Sequence, residues 1–505
     1  MEARSRSRFL TSVALSILLP ALAHLWRGDY LLNFADEGYL WYGVQHAAAG
    51  EVPLRDFMSY LPGRYYWCAA FAPLFGLGIL GVRAASAVFQ GLGLLCALLV
   101  TGRVARGWAW QILFGLTLAL WMFPRHKLFE SASACMAAWF AVRLLERPST
   151  GRHLAAGVFV GLAGCFGSQL GVYAGLSMGA LVLLLAWKQP EPGRLRRAAA
   201  WALGVVLGFA PILGMLLFVP GFPGALGDMV RMVMEVGTNL PRPWPWPWRV
   251  EAAGVPALVA LRNWMEALAF LLPVLALPGL LVVVLRTRGK DLGERAACLA
   301  SSVVALFFLH HTSVNSGAWH LAQCVQPLLL ALIAVPVLFG TRRALVQGLA
   351  WGGLTLVTLG FTLTWNPILA ETGGEEFVEC RVAGESLQLP IGQARYLAAV
   401  ERCVQRFVGE ERLFLAPNMP TLYCVLGKTS PTWGIYFTYS MSSEKQAGII
   451  RELEERGVKW ALVADPPEGK SFRRTFELVW EHFGADWKRV SAPGLPPDMV
   501  LFRRS

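Results

Sequence analysis

The residues of this 505-residue chain whose types and spacing could do chemistry gather near its start. Asn33-Phe34-Ala35-Asp36-Glu37-Gly38-Tyr39 leads to Gly50-Glu51-Val52-Pro53-Leu54-Arg55-Asp56-Phe57, and then to Tyr60-Leu61-Pro62-Gly63-Arg64-Tyr65-Tyr66. General-base catalysis on a hydroxyl needs a carboxylate within hydrogen-bond reach. A phosphate leaving group needs cations, and the planar fork of arginine suits it. Asp36, Glu37 and Asp56 with Arg55 and Arg64 offer both kinds of group. The plainest competing reading is a set of solvated loop charges, with Arg55 and Asp56 as a local pair.

Two further segments add to the first. Pro124-Arg125-His126-Lys127-Leu128-Phe129-Glu130 puts Arg125 and Lys127 between two apolar runs. Their positive charges suit an anionic partner such as a lipid phosphate, or simply reach outer headgroups. His310-His311-Thr312-Ser313-Val314-Asn315-Ser316-Gly317-Ala318-Trp319-His320, followed by Gln323, holds three of the chain's eight histidines. Imidazole can bind a phosphate oxygen or a metal, although a histidine at the end of a span is usually structural.

The elements that must position these residues are membrane spans. The chain is 55% hydrophobic and 15% charged, with a mean hydropathy of +0.48. Soluble domains carry roughly 25% charged residues, so the composition excludes a soluble enzyme, a disordered protein and a nucleic-acid binder. After Arg4, Arg6 and Arg8, the run from Phe9 to Trp26 reads as a retained first span. Further runs at about 82–101, 108–123, 131–145, 154–168, 171–187, 198–219, 266–285, 296–310, 321–340 and 345–365 give about eleven spans. Basic clusters at Arg103/Arg106, Arg147/Arg152, Lys188/Arg194/Arg196/Arg197, Arg286/Arg288/Lys290/Arg295 and Arg342/Arg343 then fall on the cytoplasmic side, as does the N-terminus. Tyr65–Leu80 is apolar, but Pro73, Gly76 and Gly78 interrupt it. It reads as juxtamembrane or re-entrant. The outer side receives residues 27–81, 124–130, 220–265, 311–320 and everything after about 366.

Residues 1–365 carry a net charge of +13 and residues 366–505 a net charge of −1. The basic surplus therefore belongs to the membrane part, and 366–505 reads as a separate outer α/β domain. Leu413–Ala416, Trp460–Ala464 and Met499–Phe502 are the expected strands. Ser442–Arg456 (capped by Ser443, stopped by Gly457) and Phe472–Phe483 are the expected helices. Of nine cysteines, only Cys380, Cys403 and Cys424 fall in this domain, so one disulfide at most can form within it. No CxxC or HExxH spacing occurs, and no metal ligand set is assigned. Mg²⁺ or Mn²⁺ needs only one or two acids plus a substrate phosphate, which leaves room for a divalent ion. Pro241 to Arg249 alternates proline and tryptophan. That forbids a helix and suits an interfacial anchor, a rigid spacer or a platform for lipid or sugar.

The first-loop residues Asp36-Glu37-Gly38-Tyr39, Gly50 to Phe57 and Pro62-Gly63-Arg64-Tyr65-Tyr66 resemble the dolichyl-phosphate-mannose–protein mannosyltransferase superfamily. This is the C-type glycosyltransferase fold, which also includes bacterial lipid A aminoarabinose transferases; the chain resembles especially an uncharacterised bacterial branch. Trp319-His320-Leu321-Ala322-Gln323 followed by Pro327 resembles a His-bearing outer segment of that branch. The resemblance covers about residues 1–365. It implies inverting transfer of a sugar from a polyprenyl-phosphate donor to an acceptor hydroxyl of a protein, lipid or polysaccharide, in the bacterial cell membrane. Asp36 matches the catalytic base and Glu37 its partner, while Arg64 and His320 match positions suited to the lipid phosphate. The second outer loop departs from the pattern: many members carry an Asp after its Arg, whereas here Arg125 precedes His126-Lys127, and Glu130 is the nearest acid. A transporter or flippase of a lipid-linked glycan would need polar residues deep within the spans to form a path, and the spans are nearly free of charge. A membrane-anchored assembly protein would leave the acidic loop unexplained.

Overall fold

A computed structural model describes residues 2–105, 107–189, 192–236, 242–251, 253–293, 295–338, 344–367, 369, 375–464 and 472–505. Arg106, Pro241, Arg342 and Arg343, named above, lie outside these residues. The chain divides into two compact units, neither contiguous in sequence.

The first unit comprises Met1–Trp26, Ser86–Pro223 and Val233–Glu371 and is helical. Among the described residues of the whole chain, eight helices are long and apolar enough to cross a membrane: Arg6–Arg27, Ile79–Val104, Arg125–Glu146, Ser168–Lys188, Arg194–Phe218, Ala257–Arg286, Ala296–Ser313 and Ala344–Trp365. Trp108–Leu120 and Gln326–Val337 are shorter apolar helices, and Thr150–Phe166 has 17 residues. Within the described residues the expected runs thus become helices, but Trp108–Leu120 and Gln326–Val337 fall short of the roughly 17–25 residues a crossing takes. The protein is an integral membrane protein.

Small residues set the packing of this unit. Gly157 and Gly161 on one helix meet Gly204 and Gly208 on another, each pair spaced by four. A Cβ on Gly157 would lie 2.1 Å from the Trp201 carbonyl oxygen, and one on Gly208 2.1 Å from that of Val158. Such spacing lets two backbones touch. Arg125–Glu146 is the most enclosed span, and its Ser131-Ala132-Ser133-Ala134 face is buried. Gly93 sits against Ala132 in the same way.

The second unit joins Arg27–Ala85 and Gly224–Met232 to Thr372–Ser505. Strands β1 (Phe377–Val382) and β2 (Glu385–Pro390) form an antiparallel hairpin. Strands β3 (Leu413–Ala416), β4 (Trp460–Ala464), β5 (Trp487–Val490) and β6 (Met499–Arg504) form a sheet in the order β3-β4-β6-β5, with β3 and β4 parallel and the other pairs antiparallel. Strands β3 and β4 are buried throughout, as a strand covered on both faces requires. Helices Ile391–Phe407, Ser443–Glu455 and Glu477–Asp486 accompany the sheet. Phe414, Phe437, Phe472, Phe476, Phe483 and Phe502 fill its core.

The expected strands at 413, 460 and 499 form. The hairpin, β5 and the helix at 391–407 were not expected. The side chain of Ser442, not Ser443, caps the helix by accepting from the Lys445 amide. The expected helix 472–483 breaks at Phe476 into Phe472–Thr475 and Glu477–Asp486. All nine cysteines are free thiols. The 65–80 segment forms two short helices, Gly63–Ala70 and Ala72–Phe75, neither long enough to cross.

Residues 27–60 have no sheet of their own and draw hydrogen bonds from the C-terminal segment. Leu31 N donates to Gln388 O at 2.9 Å, Gln388 N to Asp29 O at 3.0 Å, Thr421 N to Phe34 O at 3.2 Å and Met58 N to Trp433 O at 2.8 Å. Side chains add Gln393 Nε2 to Leu32 O at 2.5 Å and Trp433 Nε1 to Leu54 O at 2.9 Å. Tyr30 stacks on Phe377 and Phe34 on Tyr396.

Candidate active site

Asp36 and Glu37 open the helix Asp36–Ala48. Asn33 Oδ1 accepts from the Ala35 amide at 3.0 Å and the Asp36 amide at 2.8 Å, which sets the start of the helix. Acids in a first turn also suit the helix dipole. Their side chains then take different paths.

Glu37 is buried and held by Arg83, whose Nε and Nη2 each reach a different carboxylate oxygen at 2.7 Å. Arg83 also donates to the carbonyls of Gly28 and Leu31 at 2.6 Å. Leu31 has φ +60, a conformation a branched side chain adopts only when its surroundings impose it. The Glu37–Arg83 fork therefore ties the loop start to the helix start. Both carboxylate oxygens are engaged, so Glu37 suits positioning rather than proton transfer.

Asp36 is half-buried, and its Oδ1 accepts a hydrogen bond from the Tyr436 hydroxyl at 3.2 Å, across 400 positions of sequence. Tyr39 packs edge-on between Tyr60, at 5.1 Å, and Tyr436, at 5.6 Å. The buried Arg64 holds its guanidinium 4.4 Å from the Tyr60 ring centre. Burial, then the charge of Asp36 and the Tyr60 phenol, push the Tyr436 hydroxyl above its ordinary range. Burial and the neighbouring phenols raise Tyr39 likewise, against the opposing pull of Arg64. Both remain neutral hydrogen-bond donors at any physiological pH. A carboxylate, a buried cation and a wall of phenol rings thus share one place. Aromatic faces can pack against the apolar surface of a sugar.

Arg55 and Asp56 pair with each other at 2.7 and 2.8 Å, and Asp56 Oδ2 also accepts from the Val52 amide at 2.7 Å. Arg55, with help from that amide, lowers the Asp56 carboxyl below its ordinary range. These contacts close the turn at 52–57, where Leu54 has φ +72.

Arg125, Lys127 and His320 belong to the first unit. Arg125–Lys127 is one 3-10 turn before helix Leu128–Glu146. His126 and Glu130 are buried there. His311 lies within electrostatic reach of Lys127 and Glu130. Its ring is 5.2 Å from that of His320, and its Nε2 is 3.2 Å from Gln323 Oε1. Tyr173 contributes a ring 6.0 Å from His310 and 6.3 Å from His311. The Ala318 amide donates to Glu266 at 2.8 Å, and the Arg242 guanidinium lies against Gly317. The segments 124–130 and 310–320 and the Pro/Trp stretch therefore converge within this unit. In that stretch Trp244, Trp246 and Trp248 stack successively, with ring centres 5.5 and 4.9 Å apart.

Sequence reasoning missed Arg83, Tyr436, Tyr60 and Asn33. Arg83 had a signal: a lone cation just inside an apolar run needs a partner. Tyr436 had none, because nothing local links it to Asp36. Among the described residues, metal-capable side chains converge in threes only at Glu454, His482 and Asp486, which include no candidate residue. There His482 Nδ1 is 3.2 Å from Asp486, His482 Nε2 accepts from Trp487 at 3.3 Å and Glu454 pairs with Arg504 at 3.4 Å.

No protein-family model matches the chain, and no curated protein does. Among solved structures it is similar to ArnT from Cupriavidus metallidurans in the apo state, with a TM-score of 0.55 and 13% identity over 99% of this chain and 98% of that one. The same protein bound to undecaprenyl phosphate gives a TM-score of 0.54 and 14% identity over 98% and 97%. The archaeal oligosaccharyltransferase AglB from Archaeoglobus fulgidus, in complex with an inhibitory peptide and a dolichol-phosphate, gives 0.48 and 12% over 99% and 74%. From its helical membrane unit to its small C-terminal sheet, the chain has the C-type membrane glycosyltransferase fold.

Proposed function

We propose that the protein transfers a sugar from a polyprenyl-phosphate donor to an acceptor hydroxyl, with inversion, at the outer face of a bacterial cell membrane. The observation that carries this reading is Asp36: a half-buried carboxylate on a helix start fixed by the Glu37–Arg83 fork, meeting the Tyr436 hydroxyl beside buried Arg64. The fold supports it, since ArnT has been seen with undecaprenyl phosphate bound.

Asp36 takes the proton of the acceptor hydroxyl as that oxygen attacks the anomeric carbon. The bond to the phosphate oxygen breaks on the opposite face, and the polyprenyl phosphate leaves as an anion. Arg64, Arg125, Lys127 and His320 are assigned to that anion, because cations placed where charge develops lower the barrier most. Glu37 positions Asp36. Arg55 and Asp56 shape the 52–57 turn and are assigned to the rim that receives substrate. A divalent ion, Mg²⁺ or Mn²⁺, would take most of its shell from substrate phosphate and water, and no residue of this chain is assigned to it. The N-terminus is assigned to the cytoplasm and residues 366–505 to the outside.

The test is turnover of polyprenyl-phosphate sugars by the full chain in detergent. Transfer by the wild type and none by Asp36→Asn supports the reading. Tight donor binding without turnover in the presence of envelope acceptors favours transport instead.

A further inference from the structure

At the basic end of the first unit, a cavity of about 300 Å³ opens beside helices Thr150–Phe166, Ser168–Lys188 and Arg194–Phe218. That is near the lower limit of ligand pockets, about 300–1,000 Å³. Its lining has two characters. His153, Arg194 and Arg197 supply polar and cationic groups, while Val182, Leu183 and Leu195 supply an apolar wall. Leu183 and Leu195 are 72% and 81% exposed, so the wall continues onto the lipid-facing surface.

The surroundings are strongly cationic. Arg152 lies within electrostatic reach of Arg103, Arg143 and Arg147. Among the described residues in reach of Arg152, the carboxylate is Glu146, which is bonded by Arg103 and has Arg143 at 4.0 Å. His153 is buried, and its Nδ1 donates to Ser149 O at 2.9 Å, which leaves Nε2 as an acceptor able to take a hydrogen bond from a ligand hydroxyl. Arg197 donates one group to Pro148 O at 2.9 Å, which holds its guanidinium at the cavity. Crowded cations at a bilayer surface favour a bound anion, and an apolar wall running into the membrane favours one that carries acyl chains.

We propose that this cavity binds the headgroup phosphate of an anionic phospholipid of the inner leaflet. Arg194 and Arg197 hold the phosphate, His153 Nε2 accepts a hydrogen bond from a headgroup hydroxyl, and the acyl chains run along Leu183 and Leu195. Juxtamembrane cations contribute about 1 kcal/mol each towards anionic lipid, so two arginines set a selectivity of roughly 10- to 30-fold.

The test is native mass spectrometry of the full chain in neutral detergent, titrated with phosphatidylglycerol or phosphatidylcholine. Wild type is expected to retain phosphatidylglycerol about 10- to 30-fold better. Arg194→Gln/Arg197→Gln should bring the two lipids close to parity. Leu183→Trp, which fills the cavity and keeps the charge, should weaken phosphatidylglycerol as well. Arg286→Gln, a cation outside the lining, should change nothing. If the double variant does not fold, Arg194→Gln alone serves, since its side chain is exposed. Unaltered selectivity in the Arg194 and Leu183 variants overturns the proposal. Competition by glycerol phosphate at the lipid's own concentration also overturns it, by showing a site for soluble phosphate.

Discussion

Two neighbouring carboxylates, alike in sequence, are unlike in the folded chain. Glu37 disappears into a fork with Arg83, while Asp36 keeps one oxygen on a phenol that stays protonated. That phenol donates to the ionised carboxylate, so it stabilises Asp36 as an anion and holds its orientation. Tyr436→Phe should therefore lower kcat by roughly 10- to 100-fold, from the loss of one charge-assisted hydrogen bond of about 1.5–3 kcal/mol. It should also move the acid limb of the pH–rate profile upward, since an Asp that loses a donor to its charged form binds its proton more tightly. The burial-raised Tyr436 pKa gives the complementary expectation. Its neutral form is preferred in the folded state up to pH values above its ordinary range, so no loss of activity near pH 8–9 arises from this phenol. An unchanged pH profile in Tyr436→Phe would make the contact merely structural. At this scale the sequence disclosed residue types but not partners: the pairing of Arg55 with Asp56 was legible because it is local, whereas that of Asp36 with Tyr436 was not.

At the scale of elements, the segment 27–60 is assembled from outside itself. Helix Asp36–Ala48 approaches the short helix Pro420–Val425 so closely that a Cβ on Gly38 would lie 2.1 Å from Thr421 Oγ1 and 2.2 Å from its amide nitrogen. Gly38→Ala should destabilise the protein by about 1–3 kcal/mol. Thr421→Ala should not restore it, because the backbone nitrogen remains in the way; a thermal melt of both variants checks this. Arg83→Met should be more severe, about 3–5 kcal/mol, by leaving the Glu37 carboxylate buried without its cation. Glu37→Gln in the same chain should recover part of the loss, and a double variant no better than the single would contradict the fork's role. The apolar runs predicted the helices well because hydrophobic length is a property of the segment alone. The helix break at Phe476 and the hairpin at 377–390 escaped notice because packing on other residues decides them.

For the whole molecule, chain order is a poor guide to compact units. The charge asymmetry marks off residues 366–505, yet Arg27–Ala85 belongs with Thr372–Ser505 by contact. Deleting 372–505 should therefore do more than remove an accessory domain. The segment 27–60 would lose the partners of Leu31, Phe34 and Met58. Protease cleavage between 27 and 60 should follow, with transfer abolished while the spans remain folded. An assembly protein predicts instead that 371–505 binds its partner alone.

The central claim is that Asp36 is the base of a lipid-phosphate sugar transfer. It is tested most directly by incubating the purified full chain with a panel of radiolabelled polyprenyl-phosphate sugars and envelope acceptors, beside Asp36→Asn of equal thermal stability. Transfer from at least one donor by the wild type, and none by the variant, is the predicted result. Undiminished transfer by Asp36→Asn would remove Asp36 as the base, and failure of every donor to bind the wild type would contradict the function itself.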